Sequence, residues 1–405
     1  MKLGQYQLHE QIGQGGFATV YRAIHTTLNT ECAVKVLKPF SAASDDALQR
    51  FIREAQVASH LEHPHIVSIR DMDQVEGQWF LVMDYFPAQD LKTWQKEHPL
   101  SVGEKLQILE DVAAALDYAH AQGIIHRDVK PSNILIRSDQ RAALSDFGLA
   151  LPPADPHLTQ LGKVVGSAHY LSPEQAQSDP HLDGRADQYS LAVVAFELFS
   201  GQTPFEGDNA TAVALMHVTK PPPLPSTINP NLPVELDAVF QRALAKEPAA
   251  RFASCGEMVQ ALKNAIEAGE LRAARKKLEQ AHQLLAQGEY EALHALLDEA
   301  RGSLALLPQM SDILLELERA HRQAEMMKKA RRSFELAEEK AKFVLELIPA
   351  FTDPQGIFPV LGLREEPLHL PPLKSLFLQV AIGIAAGLVV DLFLWYVTFR
   401  WITRL

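Results

Sequence analysis

The chain has 405 residues, of which 47% are hydrophobic and 22% are charged, a composition typical of a folded protein with two or three domains. Its net charge of -12 argues against nucleic-acid binding, which requires a basic surface that displaces counterions. The two cysteines, Cys32 and Cys255, are isolated in the sequence, so neither a disulfide framework nor a zinc site is expected.

The first elements have the pattern of a strand and a glycine-rich turn. Residues Tyr6 to Ile12 alternate in the manner of a strand and lead into Gly13-Gln14-Gly15-Gly16. Glycine allows backbone N–H groups to close over phosphates without a Cβ in the way. A glycine-rich hairpin by itself is weak evidence for phosphate binding, so the rest of the chain has to support it.

The next segments predict a sheet with one helix beside it. Glu31 to Leu37 has the pattern of a buried strand and carries Lys35, while Ala47 to Leu61 has the apolar spacing of a helix and carries Glu54. Trp79 to Met83 is a further short apolar strand.

The stretch that says most about function is His126-Arg127-Asp128-Val129-Lys130-Pro131-Ser132-Asn133. An apolar run, Ile134 to Ile136, and then Leu144-Ser145-Asp146-Phe147-Gly148 follow it. Each motif alone is compatible with a surface loop or a tight turn. Together and in this order they resemble the catalytic loop and the metal-binding Asp-Phe-Gly turn of eukaryotic-type protein kinases. The resemblance extends over about Tyr6 to Ala265 and is strongest to bacterial serine/threonine kinases.

This resemblance implies the catalytic roles. Asp128 is expected to accept the proton of the substrate hydroxyl, and Lys130 to lie against the transferring phosphate. Asn133 and Asp146 are expected to hold two Mg²⁺ ions, which are hard cations that prefer oxygen ligands, and Mn²⁺ is an alternative.

The resemblance also implies an ATP site, in which Lys35 bridges the α- and β-phosphates and pairs with Glu54. The backbone of Asp84 to Phe86 is expected to contact adenine. Ala18 stands where the family has its third glycine, so we also keep a second hypothesis, a weakly active nucleotide-binding scaffold that recruits partners through its helical region. The implied nucleotide-binding residues are Ile12, Gly13, Gly15, Gly16, Val20, Ala33, Lys35, Glu54, Asp84, Phe86 and Leu135.

The polar stretch after Asp146 and the sequence Ser167 to Gln175 resemble an activation segment. Ser167 together with Lys130 favours serine or threonine as the phosphate acceptor. Arg127 beside the catalytic aspartate implies a segment that is ordered when a phosphate pairs with this arginine, and Thr159 is the candidate site of autophosphorylation.

The same resemblance implies structural roles for three further charged residues. Asp187 is expected to hold the backbone of the catalytic loop, and Arg251 to pair with Glu174 in the interior.

The last third of the chain predicts helices and a membrane span. Residues 266–350 are rich in good helix formers, and a stalk or coiled coil is favoured over a repeat because only one repeat-like corner, Leu284 to Tyr290, is visible. Residues 351–375 form a proline-rich linker, residues 376–398 are apolar enough for one transmembrane helix, and 399–405 are a short tail. Gly383 and Gly387 form a GxxxG pattern that suits pairing of two chains into a homodimer.

The sequence therefore predicts an α+β fold, the two-lobed protein kinase fold, over residues 1–265. It has an antiparallel sheet with one helix in the first lobe and is mainly helical in the second. We expect a serine/threonine kinase that uses ATP to phosphorylate protein substrates. We expect it to be held at the cell inner membrane by one span, with the kinase domain in the cytoplasm.

Overall fold

The computed structural model describes residues 1–14, 18–38, 52–53, 55–147, 167–287, 289, 291–293, 295–296 and 311–347. The chain divides into two compact units, Met1–Glu270 and Leu271–Leu405. The first unit thus ends close to the predicted domain end at residue 265.

The first unit begins with an antiparallel sheet in the order β1-β2-β3-β4-β6-β5. Successive side chains along each strand point to opposite faces of this sheet. The described part of α1, residues 52–53 and 55–58, follows β4 in sequence. The strands are β1 (Lys2–Leu3), β2 (Tyr6–Gln14), β3 (Ala18–His25), β4 (Thr30–Leu37), β5 (Ile69–Val75) and β6 (Gln78–Met83).

The two faces of this sheet have different neighbours. On one face a separate apolar cluster contains Cys32 and Val34 of β4. On the other face Ala33 and Leu37 join the main core, which also includes Ala55 and Ala58 of α1. Because side chains alternate along β4, Lys35 belongs to the Ala33 face. The strand register sets Val20 of β3 opposite Lys35.

A second, three-stranded sheet in the order β7-β8-β9 carries the polar motifs: β7 (Ala88–Asp90), β8 (Ile134–Arg137) and β9 (Ala142–Leu144). The segment after α1 reaches this sheet, because Leu144 N donates to His65 O at 2.8 Å and Val67 N donates to Leu144 O at 2.9 Å. These bonds tie the end of β9, two residues before Asp146, to the chain that leads back into the first sheet.

Helices form the remainder of the first unit. Helix α3 (Val102–Ala121) begins with a reciprocal capping box between Ser101 and Glu104, as a first-turn glutamate favours. Helix α5 (Gly184–Ser200) is buried along most of its length, which fits the apolar run from Leu191 to Phe196. The burial extends to the polar residues Asp187, Gln188 and Ser190 in its first half. The helices are α2 (Leu91–Glu97), α3 (Val102–Ala121), α4 (Pro173–Ala176), α5 (Gly184–Ser200), α6 (Ala210–Thr219), α7 (Pro225–Ile228), α8 (Glu235–Ala243) and the first part of α9 (Cys255–Gln287).

The second unit contains the end of α9, the described residues of a short helix α10 (291–293 and 295–296) and α11 (Ser311–Leu347). Leu293 is fully buried in a small cluster with Ala274, Ala281 and Ala324. The helices of this unit therefore pack on one another, and the preference for a stalk or coiled coil over a repeat stays a prediction. Among the described residues no helix is both long enough and apolar enough to cross a membrane. The predicted span 376–398, the linker 351–375 and the pair Gly383 and Gly387 lie outside those residues.

Candidate active site

The backbone of the loop between α3 and β8 is held by one buried carboxylate, that of Asp187. Asp187 of α5, which is 1% exposed, accepts hydrogen bonds from the backbone N–H groups of His126 at 2.7 Å and Arg127 at 2.8 Å. His120 Nε2 lies 2.8 Å from the same carboxylate. Three contacts on one buried carboxylate fix the path of the chain just before Asp128. Asp187 lies where the resemblance implied, whereas His120 was not singled out from the sequence.

The carboxylate of Asp128 is oriented by two neighbours from its own loop. Its Oδ2 accepts from Lys130 Nζ at 2.7 Å and from Asn133 Nδ2 at 3.0 Å. The same amide nitrogen of Asn133 donates to the backbone carbonyl of Asp128 at 2.8 Å. These bonds hold a partly exposed carboxylate beside an ammonium group, an arrangement that can accept a proton from an incoming hydroxyl.

Lys35 and Asp146, which are far apart in sequence, meet in an ion pair of 2.6 Å. Burial raises the pKa of the Asp146 carboxyl, but the charge and hydrogen bond of Lys35, helped by the charge of Lys130, outweigh it. The pKa of Asp146 is therefore below its ordinary value, and the group is ionised at neutral pH.

His126 couples the two motifs. Its Nε2 lies 2.8 Å from the carbonyl oxygen of Ser145, and its Nδ1 lies 3.2 Å from the backbone nitrogen of Asp128. The two contacts fit a neutral imidazole that carries its hydrogen on Nε2 and accepts at Nδ1. The ring also packs edge-on against Phe147 with 4.6 Å between centroids. One fully buried side chain thus joins the loop of Asp128 to the turn of Asp146.

A second link connects the two candidate metal ligands. Ser145 donates to the carbonyl of Asn133 from both its backbone nitrogen, at 2.9 Å, and its hydroxyl, at 3.1 Å. The amide nitrogen of Asn133 is used by Asp128, which leaves the amide oxygen to coordinate a cation. With the ionised Asp146 this gives an oxygen donor set of the kind that Mg²⁺ prefers. The contribution of Ser145 is a contact that the motif alone did not reveal.

The candidate nucleotide residues fall into distinct environments. Ala33 lies in the main core cluster, and Val20 and Leu135 pack against that cluster. Gly13 lies near the end of β2, opposite Val20. Ile12 is 44% exposed on the same strand.

The segment after β6 uses its side chains for contacts within the protein. Both oxygens of Asp84 accept from Arg70, at 2.6 and 2.9 Å, and the guanidinium of Arg137 lies 5.6 Å from the ring centroid of Phe86. The backbone N–H of Asp84 also donates within the protein, to Ser68 O at 3.0 Å. The carbonyl of Asp84 and the backbone of the next two residues are therefore the groups available to contact a base, which is the contact that the resemblance implies.

Ala18, the departure from the family pattern, begins β3 and is 4% exposed, opposite Leu37. Its methyl group is thus part of the core. Gly15, Gly16, Glu54 and Thr159 lie outside the described residues. Ser167 begins the turn Ser167–Tyr170.

Comparison with known proteins identifies the family to which the first unit of the chain is similar. Residues 6–264 match the protein kinase domain. The serine/threonine-protein kinase PknH of Mycobacterium tuberculosis (strain H37Rv) is 40% identical over 264 residues, which are 65% of this chain and 42% of PknH. PrkC of Bacillus subtilis (strain 168) is 38% identical over 273 residues, 67% of this chain and 42% of PrkC. The chain thus spans less than half the length of the curated relatives it matches.

A solved structure gives the same result for the fold. The crystal structure of the Mycobacterium tuberculosis PknI kinase domain has a TM-score of 0.54 and 37% sequence identity, covering 65% of this chain and 98% of that one. The predicted fold, a sheet-containing first lobe and a helical second lobe, is confirmed over this part of the chain.

Proposed function

This chain belongs to the protein kinase family, and from that premise we propose that it transfers the γ-phosphoryl group of ATP to serine or threonine hydroxyls of proteins. The observation that carries the proposal is the ion pair of Lys35 with Asp146. The turn of Asp146 is joined to the loop of Asp128 by the contact of His126 with Ser145. The names of the relatives support serine and threonine as acceptors.

The described side chains have complementary tasks in this reaction. Asp128 accepts the proton of the substrate hydroxyl while the oxygen of that hydroxyl forms a bond to the γ-phosphorus. The bond between the γ-phosphorus and the oxygen of the β-phosphate breaks, which releases ADP. Lys130 neutralises charge on the transferring group, and Lys35 holds the α- and β-phosphates. Asn133 and Asp146 would hold Mg²⁺, which supplies charge neutralisation to the phosphate oxygens when bound.

The test is transfer of radiolabelled phosphate from ATP to the chain itself and to a generic protein substrate. A lost general base lowers a rate by about a hundredfold or more, so Asp128→Asn should abolish most transfer. Asp139→Asn is the matched control, because Asp139 is a half-exposed carboxylate whose side chain pairs with Arg137 at the surface. Equal transfer by wild type and Asp128→Asn would overturn the proposal. Nucleotide binding without turnover by the wild type would favour the scaffold hypothesis.

We also propose that phosphorylation of Thr159 by the kinase itself raises activity. The position of Arg127 next to Asp128 supports this, since an arginine there can pair with a phosphate. Mass spectrometry should find phosphate on Thr159, and Thr159→Ala should lower activity, whereas Thr227→Ala, a change at an exposed threonine of α7, should not.

We further propose that residues 376–398 tether the kinase domain to the inner membrane from the cytoplasmic side. The apolar sequence of this stretch, long enough to cross the hydrocarbon layer, supports the proposal. The wild type should stay with membranes after alkaline carbonate extraction. Val389→Arg should weaken retention because a central arginine costs about 2.5 to 3.5 kcal/mol, whereas Val389→Leu should not. Release of the wild type would contradict the tether.

Pairing of two chains through Gly383 and Gly387 is a separate proposal, supported by the close approach that this spacing permits. Crosslinking in membranes should yield dimers that Gly383→Ile reduces. Monomers alone, for wild type and variant alike, would contradict it.

A further inference from the structure

The N-terminus of α4 carries a glutamine with two separate bonding partners. Gln175 is 8% exposed and forms a capping box with Ser172, in which its Oε1 accepts from Ser172 N at 3.1 Å and its backbone N–H donates to Ser172 Oγ at 3.3 Å. This box satisfies backbone groups at the start of the helix. It accounts for the oxygen of the side-chain amide but not for the nitrogen.

The nitrogen of the same amide reaches the catalytic loop. Gln175 Nε2 donates to the backbone carbonyl of Arg127 at 2.7 Å, across 48 positions of the sequence. Arg127 has a left-handed backbone, with φ of 68°, a conformation that costs a non-glycine residue about 1 to 3 kcal/mol and persists only where contacts hold it. The glutamine supplies one of those contacts.

The acceptor carbonyl belongs to the peptide group that joins Arg127 to Asp128. The N–H end of this group donates to His126 Nδ1 at 3.2 Å, and its C=O end accepts from Gln175. The preceding peptide is held by Asp187. Both ends of the peptide plane that leads into Asp128 are therefore fixed, and rotation of this plane would displace the Asp128 side chain.

From this geometry, and resting on the proposed kinase function, we propose that Gln175 is a positioning residue for Asp128. It fixes the peptide plane next to the catalytic carboxylate and makes that position depend on the ordered end of the activation segment. The alternative role is purely structural, in which Gln175 does no more than cap α4.

Three substitutions separate these roles in the full-length protein. Gln175→Glu keeps an oxygen for Ser172 N–H but replaces the donor to Arg127 with a second acceptor. Gln175→Met, of similar length, removes both side-chain bonds. Ser172→Ala removes the hydroxyl of the capping box and leaves the donor to Arg127 in place.

The three variants are compared with the wild type by their kcat and KM in steady-state phosphorylation of a protein substrate. Loss of one buried hydrogen bond that orients a reacting group corresponds to about a tenfold to hundredfold fall in kcat, and we expect this for Gln175→Glu and Gln175→Met. KM for ATP should change by less than about twofold, because the nucleotide site is untouched. Ser172→Ala should keep kcat within about threefold of the wild type.

The double variant that combines a Gln175 substitution with Asp128→Asn tests whether the two effects on activity are additive, a readout that a pure capping role would leave additive. If Gln175 acts through Asp128, its substitution should cost little further activity in the Asp128→Asn background, so the two effects are not additive. Thermal unfolding of each variant checks that the protein remains folded at the assay temperature.

The outcomes are distinct. The positioning role is overturned if Gln175→Glu retains wild-type kcat, if Ser172→Ala loses as much as Gln175→Glu, or if the effects of Gln175→Glu and Asp128→Asn are additive. Absence of any transfer by the wild type would instead refute the proposed kinase function, so the two failures are distinguishable.

Discussion

The buried pair of Arg251 with Glu174 allows a quantitative prediction about stability. Arg251 donates to both oxygens of Glu174 at 2.7 Å, and its other three N–H groups donate to the carbonyls of Arg185, Lys246 and Ala245 at 2.8 to 2.9 Å. All five donors of the guanidinium are thereby used. The side chain of Arg251 is fully buried, and that of Glu174 is 9% exposed.

The consequence of Arg251→Met follows from these contacts. It leaves the Glu174 carboxylate buried without its partner and removes donors from three carbonyls. Breaking a buried pair in this way costs about 3 to 5 kcal/mol in the free energy of unfolding. At about 2 to 4 °C per kcal/mol for a domain of this size, the melting temperature should fall by about 6 to 20 °C.

Urea unfolding followed by tryptophan fluorescence measures this loss, with Trp79 and Trp94 as reporters in the first unit. The control is Lys263→Met, because Lys263 and Glu110 form an exposed pair of 3.2 Å whose loss should cost at most about 1 kcal/mol. The double variant Arg251→Met with Glu174→Met should lose less stability than Arg251→Met alone, since no unpaired charge remains. A loss below about 1 kcal/mol for Arg251→Met, or a double variant whose loss equals the sum of the singles, would refute the reasoning.

Three further predictions concern crowding and pH. Gly184→Ala should destabilise the protein by about 1 to 3 kcal/mol and reduce transfer, because the new Cβ would lie 2.5 Å from His120 Nδ1 and disturb its contact with Asp187. Gly103→Ala, which meets no atom within 4 Å, should leave both properties nearly unchanged, and equal effects of the two changes in urea unfolding would contradict this. Burial, helped by the charge of Arg251, lowers the pKa of Lys246 to about 8, so the penalty on its charged form is present below pH 8 and is relieved between pH 8 and 10.5. Lys246→Met should therefore raise the free energy of unfolding at pH 7 and gain less at pH 10, and a gain that grows with pH would be inconsistent with it. Burial, helped by the charge of Lys246, lowers the pKa of His217 to about 4, so its contribution to stability is lost as pH falls from 6.5 to 4. His217→Gln should flatten that part of the pH profile of unfolding, and an unchanged slope would rule out this origin.

The parts of the site that could be predicted from sequence are those that local patterns or short motifs determine. Alternation along β4 is enough to separate the face of Ala33 and Lys35 from the face of Cys32 and Val34. The motif from His126 to Asn133 identifies the catalytic loop in combination with the Asp146-Phe147-Gly148 sequence that follows it, since their order and spacing are specific where each motif alone is not.

The parts that could not be predicted depend on tertiary contacts. Nothing local indicates that Arg127 and Asp146 adopt left-handed backbone conformations, with φ of 68° and 65°, since few non-glycine residues do so. The strand β1 has two residues, too few for a periodic pattern. Ala18 was interpreted as part of the phosphate loop, but its methyl group is buried at the start of β3, so its effect on nucleotide binding cannot be inferred from the motif.

The left-handed backbone conformations of Arg127 and Asp146 cost free energy, which contacts in the site offset. Arg127 adjoins the candidate base Asp128, and Asp146 is itself a candidate metal ligand. Each strained conformation costs about 1 to 3 kcal/mol that surrounding contacts must offset. Those contacts are the bonds of Asp187 and Gln175 on one side and the pair with Lys35 on the other. Loss of one such bond removes little of the total folding energy but frees a strained peptide to relax. We therefore expect substitutions at these contacts to slow transfer under conditions in which the protein is still fully folded.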